Sequence, residues 1–115
     1  MKYLLTIVAL LLACSNPADV RIPDPTEYSI FYECTIHEGG GTSYRTFYNP
    51  ETGEVISGSG SGTGFSTYPM TAHSGQTLWI TVTSAKPVTA FIRVDGEIVA
   101  ESVTADSVRV EWVLP

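Results

Sequence analysis

Asp95-Gly96 stands between two β-branched runs, Val88 to Val94 and Glu97 to Val103. A two-residue Asp-Gly turn takes positive φ at both positions, and its twist matches that of paired strands. The stretch therefore predicts an antiparallel hairpin, and a hairpin is stable only with neighbours to pack against. Gln76 to Ser84 is the clearest neighbour. Leu78, Ile80 and Val82 alternate there with Thr77, Trp79, Thr81 and Thr83, so a period of two turns the first set toward a core. Pro87 separates this run from the hairpin and is expected to restart the chain.

The rest of the chain from Thr26 follows the same grammar. Tyr28 to Ile36 reads as a strand with Tyr28, Ile30, Tyr32, Cys34 and Ile36 on one face, and Ser29, Phe31, Glu33 and Thr35 on the other. Gly39-Gly40-Gly41 ends it. Ser43 to Tyr48 is a second strand, and Asn49-Pro50-Glu51-Thr52-Gly53 is a turn. Glu54 to Ser57 is a short return strand. Ser107 to Val113 closes the series, with Val108, Val110 and Trp112 inward. About seven strands with turn signals between them predict an all-β fold, an antiparallel β-sandwich over residues 26–115. The core is expected on Tyr28, Ile30, Leu78, Ile80, Ile92 and Trp112.

Ser57 to Gly64 alternates Ser or Thr with Gly58, Gly60, Gly62 and Gly64. A phosphate-binding loop would lead into a helix N-terminus. Phe65-Ser66-Thr67-Tyr68-Pro69 cannot supply one, and no Gly-Lys-Ser/Thr ending follows. The phase of Ser and Gly also excludes a GxSxG nucleophile elbow. This run is expected to be a mobile loop.

The first 25 residues differ in kind. Lys2 is followed by an apolar run from Tyr3 to Ala13. About eleven residues are too few to cross a bilayer as a helix, which needs roughly twenty, and they suit a signal peptide. Leu11-Leu12-Ala13-Cys14 resembles a bacterial lipobox, so residues 1–13 are expected to be cleaved and Cys14 to be lipidated. The competing reading is a plain signal peptide in which Cys14 is incidental. Residues 14–25, with Pro17, Pro23 and Pro25, read as a flexible tether. The lipobox resemblance implies a location in the bacterial cell envelope, lipid-anchored and facing the periplasm or the cell exterior. In a Gram-negative host, neutral Ser15 implies the outer membrane.

Charge and reactive groups narrow the function. The chain carries a formal net charge of -6 at pH 7, and loss of Lys2 makes it more acidic still. Four scattered arginines on an acidic chain argue against nucleic acid as a partner. With Cys14 committed to lipid, Cys34 has no cysteine to pair with and reads as a small buried hydrophobe. His37 and His73 each sit by a turn, without the close spacing of a metal pair. No cofactor motif and no Ser-His-Asp constellation is legible, so the expectation is a protein that is not an enzyme.

Three further stretches carry a resemblance. These are Tyr48-Asn49-Pro50 with Gly53, Tyr68-Pro69-Met70 leading to Ser74-Gly75-Gln76-Thr77-Leu78, and Phe91-Ile92-Arg93-Val94-Asp95-Gly96-Glu97-Ile98-Val99. From about Tyr28 to the end the chain resembles the MmpS family of small envelope proteins. That resemblance implies an immunoglobulin-like sandwich and a role as accessory partner of resistance–nodulation–division (RND) exporters. Members of that family carry a transmembrane helix at the N-terminus, where this chain carries a lipobox.

Phe31, Phe47, Trp79 and Phe91 fall on the parity opposite to the core, alongside Arg45 and Arg93. An exposed aromatic patch on one sheet follows, with Trp79, Phe91, Phe47 and Arg45 as the candidate partner-binding residues. The competing expectation is that a covering loop or a bulge hides them. Three classes of function fit: an accessory or binding lipoprotein with an envelope protein partner, a surface-exclusion or inhibitor lipoprotein of the phage type, and a glycan- or small-ligand-binding lipoprotein.

Overall fold

A computed structural model describes residues 26–115. The leader, Cys14 and the tether lie outside the described residues. The domain is all-β, with eight antiparallel strands. They are β1 (Glu27–Ile36), β2 (Gly41–Tyr48), β3 (Val55–Gly62), β4 (Gly64–Ser66), β5 (Met70–His73), β6 (Thr77–Val94), β7 (Glu97–Glu101) and β8 (Ala105–Val113).

β6 holds the molecule together. Its 18 residues belong to two layers in turn. Thr77 to Thr83 pairs with β8, and Ile80 to Ser84 with β2. Val88 to Val94 pairs with β1, and Phe91 to Val94 with β7. Pro87 does not end the strand, as its sequence context suggests, because it falls where the β8 ladder skips between Thr83 and Val88 and a ladder hydrogen bond is not demanded. Buried Ser84 shapes this corner: its hydroxyl donates to the Thr42 carbonyl (3.2 Å) and accepts from the Lys86 amide (3.2 Å). One layer is thus β3-β2-β6-β8, and the other is β7-β6-β1, with β4 and β5 both added along β1.

The alternating residues meet between the layers. Ile30, Tyr32, Leu78, Ile80, Val82, Val88, Ala90 and Ile92 are fully buried. Tyr28 and Trp112 are half-buried and pack against that cluster. Each buried aliphatic side chain contributes roughly 1.5–3 kcal/mol. The Asp95-Gly96 turn forms as expected, with φ of 50° and 87°. Asp95 also ties the hairpin to β1, since its Oδ1 accepts from the Ser29 amide (3.0 Å) and its own amide donates to the Ser29 carbonyl (2.7 Å).

Cys34 is buried within β1, and burial pushes its thiol up from the ordinary range. A buried, protonated thiol is a poor nucleophile. Cys34 is expected to resist a thiol-alkylating reagent in the folded domain and to react fully in denaturant. Mass spectrometry of alkylated protein checks this.

The Ser57–Gly64 run is a correction to the expected loop. Val55 to Gly62 pairs residue by residue with β2, from Tyr48↔Val55 to Gly41↔Gly62. The serines of β3 and the threonines of β2 meet on the outer face, as Thr46 with Ser57 (3.1 Å) and Thr42 with Ser61 (3.4 Å). The low strand preference of glycine is overridden by the full ladder to β2 and, at Gly60, by Arg45, which fills the space a side chain would take.

Candidate binding cleft

Where β3 forms the edge of one layer, the β4–β5 connection forms the facing edge of the other. Thr67 fixes that connection to β1: its amide donates to the Tyr32 carbonyl (3.0 Å) and its hydroxyl accepts from the Tyr32 amide (3.1 Å). Between the two edges lies an open cleft of about 520 Å³, within the usual size range of small-ligand sites. Phe47, Ile56, Phe65 and Met70 give it an apolar floor and walls, while Arg45 and Glu51 supply charge. Tyr68 stands at the rim, 90% exposed.

Each wall has a local cause. On β2, Ser43, Arg45 and Phe47 pair with Ser84, Val82 and Ile80 of β6, so they share the inner face. Phe47 packs between Tyr32 and Phe65, with ring centroids 5.3 Å and 6.3 Å away. The Arg45 guanidinium lies 3.9 Å over the Phe65 ring, and its Nε donates to the buried Ser43 hydroxyl (3.0 Å). Among the described residues no carboxylate lies within ion-pair distance of Arg45. Glycines on β3 make this position possible. A Cβ at Gly60 would stand 2.8 Å from Nη2 of Arg45, whereas one at Gly58, directly opposite Arg45 in the ladder, would meet nothing within 4 Å.

The 49–53 turn closes one end. The Asn49 side chain accepts from the Glu51 amide (2.9 Å), and the Glu51 carboxylate accepts from the Thr71 amide (2.9 Å). Gln76 donates to the Pro50 carbonyl (3.1 Å). The turn is thereby bound to both β5 and the start of β6.

Tyr32 supports the floor. It is fully buried, and its hydroxyl donates to the Tyr48 carbonyl at 2.6 Å. Burial pushes its phenol well above the ordinary range. The folded state therefore keeps the proton to higher pH than the unfolded chain, which releases it near pH 10. Above about pH 10 the unfolded state binds fewer protons, so stability present below that pH is lost as pH rises. Tyr32→Phe is expected to cost about 1–2 kcal/mol at neutral pH, by leaving the Tyr48 carbonyl unpaired, and to flatten the alkaline limb. Urea midpoints measured from pH 7 to 11 check both effects.

The four candidate partner-binding residues separate. Arg45 and Phe47 come together in the cleft, and Phe47 faces inward instead of outward. Trp79 lies on the outer face of its layer under Arg109 (4.6 Å), whose guanidinium also binds Glu111 (2.7 Å). Phe91 lies on the other layer, opposite Glu33 of β1 and Glu101 of β7. Trp79 and Phe91 keep the same parity along β6, but β6 changes layers between them, so they do not form one patch. Phe31 also sits on this second layer, 5.9 Å from the Arg93 guanidinium, which pairs with Glu33 (2.8 Å). Trp79→Ala is expected to cost about 1 kcal/mol through lost cation–π and surface packing and to leave ligand binding in the cleft unchanged. Melting temperature and binding measured on the same variant check this.

Ile56, Phe65, Tyr68 and Met70 escaped the sequence reading because their stretch lacks a long alternating pattern. The usable signal was the alternation of Ser43, Arg45 and Phe47 with a second alternating set downstream, Ile56, Gly58 and Gly60, which the ladder sets opposite them. His73 approaches Glu27 (3.3 Å) and His37 approaches Thr89 (2.9 Å), on separate surfaces. Among the described residues no group of three His, Cys, Asp or Glu side chains could hold a metal ion.

Comparison with family models, with curated proteins and with solved structures gave no match to this chain.

Proposed function

We propose that this chain is a non-catalytic binding module of the bacterial cell envelope, held to a membrane by lipid on Cys14 and binding an envelope protein through the cleft beside β3. The observation that carries the reading is Arg45. A half-buried guanidinium in an apolar cleft, without a carboxylate partner among the described residues, is a ready anchor for an acidic group on a ligand. The apolar walls around it would supply the binding area. The resemblance to MmpS proteins supports an exporter of the RND type as the partner to look for.

The test is a crosslinking pull-down of the tagged protein from its own membranes, with Arg45→Ala beside the wild type. A stoichiometric envelope protein, captured by the wild type and depleted at least about tenfold in the variant, is expected. An RND exporter among the captured proteins would identify the accessory role. Equal capture by both proteins, or none by either, would overturn the reading.

A further inference from the structure

Resting on the cleft as the binding site, we infer that β3 is a docking strand: an extended partner segment adds antiparallel to its open edge, placing an apolar side chain against Phe65 and a carboxylate on Arg45. Among the described residues β3 pairs only with β2, so along its eight residues every second N–H and C=O pair points to an edge that no strand covers. Natural edges are commonly protected by charge, proline or a bulge. The edge strand β8 carries Asp106, Arg109 and Glu111, and β7 carries Glu97 and Glu101. β3 reads Val-Ile-Ser-Gly-Ser-Gly-Ser-Gly and has no charge or proline, and its ladder to β2 is unbroken.

The cleft lies beside this open edge. Its far wall is the Thr67–Pro69 connection on the other layer, so an added strand would bridge the seam between layers. Strand addition supplies affinity through main-chain hydrogen bonds and specificity through alternate side chains. On the inner face of β3, the site opposite Arg45 is Gly58, with open space where a side chain would be. Alternate side chains of an added strand lie about 6.6–6.8 Å apart along it, and with the Arg45 guanidinium 3.9 Å over the Phe65 ring successive inward side chains meet one continuous apolar and cationic wall. Arg45, without a carboxylate partner among the described residues, selects an acidic residue there. Ser57 and Ser61 on the outer face are bonded to the β2 threonines, and the backbone edge beside the cleft is the surface an added strand would use.

The test uses synthetic peptides of about ten residues, long enough to cover β3, alternating Thr and Val with a central inward Asp, Asn or Lys. Binding to the folded domain is measured by fluorescence anisotropy, with each peptide also N-methylated along one edge or the other. The expected result is binding of the Asp peptide at least about tenfold tighter than the Lys peptide. Binding should be lost on methylation of one edge only, and lost in Gly58→Leu, which fills the cleft. Insensitivity to methylation of either edge, with loss in Gly58→Leu, would overturn strand addition and leave the cleft as the binding site. Peptide binding that survives Gly58→Leu would overturn the cleft reading itself. No binding by any peptide would also overturn strand addition; a shift in melting temperature with laurate would then make the cleft a site for an anionic amphiphile.

Discussion

Ile80→Ala is expected to destabilise the domain by about 3 kcal/mol, near the middle of the range for aliphatic truncation in a core. Ile80 is 0% exposed and sits where three strands meet. It pairs with Val110 of β8 and Phe47 of β2 while belonging to β6. Its removal opens a cavity under Phe47, whose ring also packs on Tyr32 and Phe65. Local collapse is limited because those rings are held by strands from both layers. Domains of this size are stable by roughly 5–15 kcal/mol in total, so the change would consume a large share. Urea unfolding should show a midpoint lowered by about 1–3 M, given m-values of about 1–3 kcal/mol/M. A shift below about 0.5 kcal/mol would mean that the layers do not meet at Ile80.

Cys14→Ser is expected to abolish incorporation of a radiolabelled or clickable fatty acid and to move the protein from the membrane fraction to the soluble fraction. The reason is chemical: the thioether that would carry the diacylglyceryl group requires the cysteine sulfur. Two or more acyl chains give stable anchoring, and a single chain gives only marginal binding, so the change in partitioning should be nearly complete. Labelling that survives the substitution would end the lipoprotein reading. The soluble variant should keep the melting temperature of the domain, because the described strands begin at Glu27.

Most of the sheet was legible because its information is local. The period of two in Tyr28 to Ile36 and in Gln76 to Ser84 orients Ile30, Tyr32, Leu78, Ile80 and Val82 into the core as expected. The Asp95-Gly96 turn needs only two residues to specify it. The failures share a cause of another kind. β3 is a strand because β2 offers it a full ladder and because Arg45 needs the space beside Gly60. No window containing only Ser57 to Gly64 holds that information. Similarly, Trp79 and Phe91 read as one patch until β6 is seen to change layers at Ser84 to Pro87, a consequence of its partners on either side. Of the candidate site, parity set Arg45 and Phe47 on one face but assigned that face to the outside, and only the pairing of Phe47 with Ile80 turns it inward. Phe65 and Tyr68 were not read at all, because β4 has three residues, too few to establish a period, and Tyr68 lies in the connection after it.

In the proposed function a partner occupies the cleft between β3 and the β4–β5 connection. The most direct test places a photocrosslinking residue at Tyr68, on the rim, or at Tyr44, which is 63% exposed on β2 at an outward-facing position, and irradiates the protein in its native membranes. Crosslinks to one partner from position 68, absent from position 44 and lost when Gly58→Leu is added, are the predicted result. Equal crosslinking from both positions, or crosslinking from position 68 that persists in Gly58→Leu, would contradict the claim.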